Sequence, residues 1–439
     1  MNWSATAIWW HLYPLRFVGA EQRAEDLPGG HVQHRLGRIV NWLDYVVELG
    51  CNGLILAPMF ASVSHGYDTL DHFRIDPRLG DDADVDDLVA QARARGLRLV
   101  LDGVFNHLAA DHDIVQRAWL AGPDTDDGRW LRWEGEHPRV FEGNFDLVEL
   151  DLSHPPVADY VVEVMCHWLA RGMDGWRLDA AYAPGAQAWS SITRRVKERF
   201  PECWLLGEVI HGDYPEFVAT SGVDSVTQYE LWHGIWHSMN DKNLFELEHS
   251  LTRHAEFCET FRPQTFIGNH DVTRIATKLY DIRHLPIAVA LLMLLPGIPS
   301  IYAGDEQAFD ARKLKRPHGD DAVRPPFPES PDDLLPFGAE ALELHQRLIG
   351  LRRNHPWLVD ATLAVREVTN TTMVIDLTAQ GSAAADPAHR LTLALNIGDD
   401  PFTVATPAAD PTGGERTDDD PNGDDPLTVA PHSWATTPR

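Results

Sequence analysis

The sequence predicts an α/β fold: a (β/α)8 barrel with a short insertion after its third strand and an antiparallel β domain at its C-terminal end. Eight apolar runs are too short for helices and too apolar for surface loops, which is typical of strands buried on both faces. Helical patterns alternate with these runs, as crossover helices alternate with parallel strands. From His355 onward the helical pattern stops. An open doubly wound sheet is the alternative, because the sixth run is weak.

The eight runs account for the strands of the barrel, since eight is the number that closes a (β/α) ring. Between the first two runs, Leu36, Ile39, Leu43 and Val46 form the apolar stripe of a helix that ends near Gly50. The candidate strands cover residues 8–13, 53–56, 97–102, 175–179, 204–208, 225–226, 266–269 and 298–302.

Two segments interrupt this rhythm and suggest domain boundaries. Residues 108–146 are rich in Asp, Gly and Trp with little periodicity, which predicts an insertion (domain B) between barrel parts 1–107 and 147–354. The last barrel helix is predicted over residues 339–353.

The C-terminal part, residues 355–439, is predicted to form a β-sandwich domain. Residues 362–377 and 390–396 alternate or are β-branched, as strands are. The stretch 408–426 is dense in Asp, Gly and Pro and is predicted to be a long mobile loop.

The composition argues against several classes of protein. The formal net charge of −29 opposes binding to nucleic acid or to anionic membranes. The N-terminus shows no signal-peptide pattern, so we expect a cytoplasmic protein. The apolar run 285–302 is interrupted by prolines, which predicts a buried helix and a strand instead of a membrane span. The four cysteines lie far apart and are expected to be free thiols.

Three acidic residues, Asp179, Glu208 and Asp271, each close one of the apolar runs. Because the carboxyl ends of parallel strands meet at one end of a barrel, these side chains are predicted to form a reaction centre there. Arg177 lies on the same face of its strand as Asp179 and would keep that carboxylate ionised, as a nucleophile requires. The apolar flanks of Glu208 would desolvate it and favour its protonated form, which suits a general acid. A structural ion pair and a helix-capping Glu are the alternatives.

Further polar residues follow other strands. Asn269 and His270 precede Asp271, and an imidazole there could bind sugar hydroxyls. The segment 102–107 places Asp102, Asn106 and His107 after the third strand, and the segment 65–71 places Tyr67 and Asp68 after the second. Tyr67 could stack on the face of a sugar, although it could equally be a packing residue.

Four short motifs, in their order along the chain, resemble glycoside hydrolase family 13, the alpha-amylase family. Weaker similarity extends over about residues 7–354, and the combination is specific although no single motif is. Within the family, the chain resembles intracellular cyclomaltodextrinases and hydrolases of malto-oligosaccharides or cyclic maltosyl-maltose. The motifs are residues 102–107, 175–179, 207–209 and 269–271.

The resemblance implies a retaining mechanism and a role for each residue. Asp179 would be the nucleophile and Glu208 the acid and base, with their carboxyl groups about 5–5.5 Å apart. Asp271 would be the third acid, which grips ring hydroxyls. The substrate-binding residues would be Tyr67, Asp68, Asp102, His107, Arg177, Tyr182 and His270.

Two positions bear on substrate and metal. Tyr182 and Ala183 stand where many endo-acting family members have Lys and His, which argues against a plain starch amylase. Asn106 matches a position that binds calcium in some members, so a structural calcium is the one metal that the resemblance suggests. No cofactor is expected to be required.

The predicted function is therefore hydrolysis of small linear or cyclic α-glucans, with no nucleic-acid or membrane partner and a homodimer as one option for assembly. A transglycosylase would use the same carboxylates and is the first alternative. The second is a non-catalytic carbohydrate-binding protein, which would be expected to have lost one of the three acids.

Overall fold

The computed structural model describes residues 3–316, 319–404 and 427–436. Its main sheet has eight parallel strands in sequential order, and a bridge between Thr227 and Gln264 joins the sixth strand to the seventh. This closure gives the predicted barrel and excludes the open sheet. The strands are Trp9–Leu12 (β1), Gly53–Leu56 (β2), Arg98–Gly103 (β3), Gly175–Leu178 (β4), Trp204–Gly207 (β5), Ser225–Val226 (β6), Gln264–Phe266 (β7) and Ile298–Tyr302 (β8).

The predicted strand positions hold closely except for β7. This strand spans Gln264–Phe266 instead of the predicted 266–269. Gln264 and Thr265 are buried polar residues, so an apolar run could not reveal them. Beyond Phe266 the chain leaves the ladder, which places Asn269, His270 and Asp271 in the loop at the mouth of the barrel.

The helices lie between the strands and cover the outside of the barrel. The predicted first helix is divided into two, and the second ends at Gly50, whose φ of 100° suits a left-handed C-cap. The α-helices are Pro14–Phe17, Gly37–Val40, Leu43–Leu49, Asp82–Ala94, Asp113–Ala121, Pro155–Ala170, Ala186–Arg199, Tyr214–Ser221, Tyr229–Asp241, Leu244–Cys258, Ile275–Lys278, Leu285–Leu294 and Ala339–Asn354.

The interior of the barrel is filled by large side chains. Trp9 and Trp204 stack with ring centroids 5.1 Å apart, and Ile55, Val100 and Leu206 pack around them. A Cβ at Gly53 would come within 2.3 Å of the Trp9 ring, so glycine there leaves room for the indole. The filled interior fixes the positions of the strand ends above it.

The loops after β2 and β3 carry small antiparallel pairs. After β2, Phe60–Ser62 pairs with Thr69–Ile75. After β3, His107–Ala109 pairs with Leu147–Glu149, across both ends of the predicted insertion. Between the latter strands lies the helix Asp113–Ala121, which the low periodicity of the segment did not reveal. The domain boundaries stay a prediction.

The C-terminal part contains a four-stranded antiparallel sheet with strands Thr362–Val368 (β9), Thr372–Thr378 (β10), Arg390–Asn396 (β11) and Ser433–Thr436 (β12). Met373, Ile375 and Leu377 of β10 belong to the main core, whereas Val374 packs towards a two-stranded sheet formed by Phe402–Thr403 and Thr428–Val429. The predicted loop 408–426 lies outside the described residues.

Two further expectations concern the rest of the chain. The apolar run 285–302 forms the helix Leu285–Leu294 followed by β8. Within the described residues, helices that combine the length and the apolar character needed to cross a bilayer are lacking. All four cysteines are free thiols, three of them buried.

Candidate active site

The carboxyl ends of β3, β4 and β5 bring the first polar cluster together. In the parallel register, Arg177 of β4 lies beside Asp102 of β3 on one side and Leu206 of β5 on the other. Asp179 follows β4 and Glu208 follows β5, each two residues beyond this level. The strand register therefore collects Asp102, Asp179 and Glu208 around Arg177, and two of these, Asp179 and Glu208, are among the three acids that the sequence predicted to meet.

Arg177 binds all three carboxylates of this cluster. Its Nη1 lies 2.6 Å from Asp102 Oδ2 and 3.0 Å from Asp179 Oδ1. Its Nη2 lies 2.6 Å from Glu208 Oε1. Because one planar guanidinium holds both Asp179 and Glu208, the two groups expected to act as nucleophile and acid are fixed close to each other.

The electrostatics of the cluster differ in one respect from the sequence expectation. Burial raises the pKa of Asp179 well above its ordinary value, Arg177 opposes this shift, and Glu208 and Asp102 add to it. Burial likewise raises the pKa of Asp102 to about 6. Arg177 alone was expected to keep Asp179 ionised, but one cation does not neutralise three buried carboxyls. Asp102 and Asp179 therefore bind their protons more tightly than isolated carboxyls would.

Glu208 is held by three donors. Arg177 binds Oε1, the backbone N–H of Ala180 donates to Oε2 at 2.9 Å, and the hydroxyl of Tyr229 donates to Oε1 at 3.2 Å. Ala180 has a φ of 45°, an uncommon conformation for a residue with a side chain. The turn after β4 is thus shaped so that its backbone orients Glu208.

Tyr229 is a site residue that the sequence analysis missed. Its hydroxyl also accepts a hydrogen bond from Asn269 Nδ2 at 2.9 Å, so it links the β5 and β7 ends. Burial raises the pKa of Tyr229 well above its ordinary value of 10.0, which keeps the hydroxyl protonated. The available signal was its position just after β6, the strand with the weakest pattern.

Asp271 lies at the solvent side of the cluster, with 32% of its side chain exposed. Arg324 Nη2 donates to its Oδ1 at 2.8 Å, and His270 Nε2 lies 3.1 Å from its Oδ2. Arg324 Nε also donates to the carbonyl of His270 at 2.9 Å. Arg324 is the second residue that the sequence analysis missed, and it stabilises the loop that carries Asp271.

Tyr67 and His270 form a stacked pair beside the carboxylates, with ring centroids 5.6 Å apart and an interplanar angle of 9°. The hydroxyl of Tyr67 donates to Asp102 Oδ2 at 3.0 Å and also contacts His270 Nε2. His107 Nε2 lies 3.1 Å from the carbonyl of Tyr67, and its ring stacks on Phe141 of the insertion at 4.6 Å. The structure thus brings Tyr67, Asp102, His107 and His270 together, and their role in binding a substrate stays a prediction.

The remaining two predicted binding residues lie further from the carboxylates. The Tyr182 hydroxyl donates to Glu142 Oε1 of the insertion at 2.8 Å, which places Tyr182 at the rim. Asp68 accepts from Ser64 Oγ at 2.5 Å within its own loop. The contacts of Asp68 therefore support the loop after β2 and do not reach the carboxylate cluster.

The surroundings of Asn106 do not fit a calcium ion. Asn106 Oδ1 is buried and accepts no hydrogen bond, which would suit a ligand atom. Calcium, however, requires six to eight oxygen ligands. The nearby carboxylate of Glu149 is paired with Arg132 at 3.5 Å and Arg139 at 3.4 Å. These two cations disfavour a divalent ion there, so a calcium site at Asn106 stays a prediction without a supporting set of ligands.

The arrangement suits displacement at an electrophilic carbon by two carboxyl groups. Asp179 and Glu208 are almost buried, each with less than a tenth of its side chain exposed, and they are held rigidly by Arg177. Asp271 supplies a carboxylate on the solvent side, the ring of Tyr67 is half-buried, and the fully buried His270 lies between them. A polyhydroxylated ring that entered from this side would meet Asp271 before it reached Asp179 and Glu208.

Comparisons with known proteins agree with this geometry. The family model of the alpha-amylase catalytic domain matches residues 11–327. A cyclomaltodextrinase of Geobacillus thermopakistaniensis is 28% identical over 338 residues, which cover 70% of this chain and 56% of that protein. An intracellular maltogenic amylase of Bacillus subtilis is 27% identical over 340 residues, again 70% of this chain and 56% of that protein. The chain thus spans little more than half the length of these curated relatives.

Among solved structures, the chain is similar to the ligand-free cyclic alpha-maltosyl-(1→6)-maltose hydrolase from Arthrobacter globiformis. The TM-score is 0.81 at 24% identity, and the alignment covers 99% of this chain and 98% of that one. At this level of identity the similarity establishes the fold, including the C-terminal sheet.

Proposed function

The chain belongs to the alpha-amylase family, glycoside hydrolase family 13, and on that premise we propose that it is a retaining hydrolase of α-glucosidic bonds in small linear or cyclic malto-oligosaccharides. The observation that carries this proposal is the binding of Asp179 and Glu208 by the two terminal nitrogens of Arg177. A retaining mechanism needs two carboxyl groups close enough for one to attack the anomeric carbon while the other protonates the leaving oxygen.

In the first step, a carboxylate oxygen of Asp179 forms a bond to the anomeric carbon as the bond to the glycosidic oxygen breaks. Glu208 gives its proton to that oxygen, which leaves as a hydroxyl on the released sugar. In the second step, Glu208 takes a proton from water, and the water oxygen displaces Asp179. Two inversions at the same carbon retain the α configuration.

The other residues of the mouth position the sugar. Asp271, the most exposed of the three acids, is placed to accept hydrogen bonds from ring hydroxyls while Arg324 fixes its orientation. His270 lies between Asp271 and Tyr67 and adds a further polar group. The face of Tyr67 offers a flat apolar surface of the kind on which sugar rings pack. Asp102 supports the subsite through Arg177 and Tyr67.

Small substrates are favoured by the contacts of the insertion. Phe141 packs on His107, and Glu142 binds Tyr182, so the insertion lies against the loops after β3 and β4. Arg132 also donates to the carbonyl of Ala183 at 3.4 Å. These contacts narrow one side of the mouth, which fits a short or cyclic glucan better than a long polymer. The relatives named cyclomaltodextrinase and intracellular maltogenic amylase support this substrate class and an intracellular location.

The test is hydrolysis of a nitrophenyl α-maltoside by the full chain and by single variants. We expect Asp179→Asn to lower kcat on the order of 10⁴- to 10⁶-fold, as loss of a nucleophile does in other hydrolases. Glu208→Gln should lower it about 10²- to 10⁴-fold. Glu343→Gln, an exposed residue on the last barrel helix, is the matched control and should behave as the wild type.

Two product measurements complete the test. The first product seen by NMR should be the α anomer, and an initial β anomer would contradict the retaining mechanism. Incubation with maltotetraose should give only shorter sugars; longer products would show that a sugar hydroxyl competes with water, as in a transglycosylase. Full activity of Asp179→Asn would contradict the whole assignment.

A further inference from the structure

A second group of ligand-type side chains lies where the barrel meets the C-terminal sheet. Asp281 and His284 belong to the turn before the barrel helix Leu285–Leu294. His432 precedes β12, and Asp399 follows β11. His284 Nε2 and His432 Nδ1 are 3.1 Å apart, and Asp281 Oδ2 is 3.9 Å from His432 Nδ1. One ligand atom from each of Asp281, His284 and His432 lies within 4.8 Å of the other two.

If both imidazole rings are neutral, their two protons cannot satisfy all the contacts of the four ring nitrogens. His432 Nε2 is 2.9 Å from Asp399 Oδ1 and must carry a proton to donate, so Nδ1 of the same ring has a lone pair. The Nδ1 of His284 is buried and lacks a hydrogen-bond partner among the described residues.

Either tautomer of His284 leaves an unfavourable contact. A proton on Nε2 satisfies His432 but leaves the lone pair of the buried Nδ1 without a partner. A proton on Nδ1 sets the lone pairs of His284 Nε2 and His432 Nδ1 against each other at 3.1 Å. A cation between the two rings removes this conflict, because it accepts both lone pairs at once.

We infer that Asp281, His284 and His432 bind a divalent transition-metal ion of the zinc class at the junction of the barrel and the C-terminal sheet. Two imidazole nitrogens and one carboxylate oxygen are ligands that zinc takes, and a water molecule would complete a tetrahedron. With bonds of about 2.0–2.1 Å, ligand atoms in such a site lie about 3.3 Å apart. The observed separations of 3.1 and 3.9 Å lie on either side of this value.

The neighbouring residues fit this assignment. Asp399 binds the ring nitrogen of His432 that faces away from the proposed ion, as carboxylates do behind metal-bound histidines. His432 has a φ of 51°, so the chain holds an uncommon backbone conformation that directs this ring. Arg283 binds Asp281, but 59% of its side chain is exposed and it can swing into solvent when a metal competes.

The ion would join two parts of the chain that are far apart in sequence. His284 and His432 are separated by 148 positions, and one ligand pair lies on the barrel while the other residue lies beside β12. A metal at this point would bind only the folded arrangement and would therefore raise the melting temperature. This site is separate from the carboxylate cluster, so it does not depend on the proposed function.

The test is zinc binding by the full chain after removal of metals with a chelator. Zinc sulfate is titrated in competition with a chromophoric zinc indicator. We expect one tight site per wild-type chain and at least a roughly 100-fold weaker affinity in His284→Gln and in His432→Gln. Asp399→Asn keeps the three ligands and should weaken binding about 10- to 100-fold. His249→Ala, an exposed histidine elsewhere, is the matched control and should bind zinc as the wild type does.

Two outcomes would overturn the inference: a wild type that binds zinc no more tightly than His284→Gln, and a loss of the tight site in His249→Ala. Absence of a tight site would mean that the two rings share a proton instead. Should the histidine variants fail to fold, the cobalt(II)-loaded wild type still decides the matter. It should show the intense visible bands of tetrahedral coordination, and the weak bands of octahedral cobalt would contradict the site.

Discussion

The hydroxyl of Tyr229 offers the sharpest test of how Glu208 is positioned. Tyr229→Phe removes one oxygen and leaves the ring, which packs edge-on against Phe266 with centroids 4.9 Å apart. The lost hydroxyl donates to Glu208 Oε1 at 3.2 Å and accepts from Asn269 Nδ2 at 2.9 Å. The variant should therefore fold, while Glu208 loses one of its three donors.

The magnitude follows from the geometry. A hydrogen bond to a charged group contributes about 1.5–3 kcal/mol. The 3.2 Å length lies at the long end for such a bond, so the lower value is appropriate. At about 1.4 kcal/mol for each factor of ten, we expect kcat/KM to fall on the order of tenfold. Arg177 and Ala180 still hold Glu208, which limits the loss.

The assay compares two substrates whose leaving groups differ in how strongly they depend on protonation by Glu208. Nitrophenolate leaves with little protonation, whereas the sugar released from maltotriose requires a proton from Glu208. We expect the loss of kcat/KM in Tyr229→Phe to be several-fold larger for maltotriose than for nitrophenyl α-maltoside. A simple loss of stability would lower both rates by the same factor.

The matched control is Tyr214→Phe, which also removes a buried hydroxyl. That hydroxyl donates to the carbonyl of Ile210 at 3.0 Å and does not contact a carboxylate. In Tyr214→Phe, the ratio of kcat/KM for maltotriose to kcat/KM for nitrophenyl α-maltoside should equal that of the wild type. The positioning role of Tyr229 would be refuted if Tyr229→Phe lost the same factor of kcat/KM on both substrates. It would also be refuted if Tyr214→Phe changed the ratio of the two kcat/KM values as Tyr229→Phe does.

Two other residues give predictions of different kinds. Arg324→Gln removes the cation that binds Asp271, so kcat/KM for malto-oligosaccharides should fall about tenfold or more, with partial recovery in Arg324→Lys; an unchanged value would contradict the role of Asp271. Burial raises the pKa of Glu306 to about 7, so its protonated form favours folding and stability should fall as pH rises from about 4.5 to 7. A pKa shift of this size corresponds to a loss of about 3 kcal/mol in the free energy of unfolding over this pH range. Calorimetry should show a smaller fall in Glu306→Gln, and identical slopes in both proteins would contradict the prediction.

The core of the site could be predicted because its residues interrupt strong local patterns. Asp179 and Glu208 each end an apolar strand, and a charged residue at that point has no structural explanation from the strand itself. The strand β7 was misplaced because its buried residues Gln264 and Thr265 are polar. Even so, Asp271 lies beyond the end of this strand, because Asn269, His270 and Asp271 follow the apolar residues Phe266 and Ile267 whether the strand begins at 264 or at 266.

The residues that were missed act through contacts distant in sequence. Arg324 lies 53 positions from Asp271 in a loop without a pattern of its own, and only the folded chain brings them together. Tyr229 follows a two-residue strand that the sequence barely marks. Conversely, Asp68 shares a segment with Tyr67, but its bond to Ser64 turns it into the loop. Local sequence shows which residue types leave a strand, but not which way a side chain turns in a loop.

The excess of acids over cations in the cluster has a consequence for catalysis. Arg177 can neutralise only one of Asp102, Asp179 and Glu208, so each further carboxyl of the cluster that is ionised places negative charge beside the position of the sugar in the proposed mechanism. When the glycosidic bond breaks, positive charge develops on the anomeric carbon and ring oxygen. Fixed negative charge in a site largely shielded from water stabilises that charge more than it stabilises the neutral substrate, which is the condition for lowering the barrier.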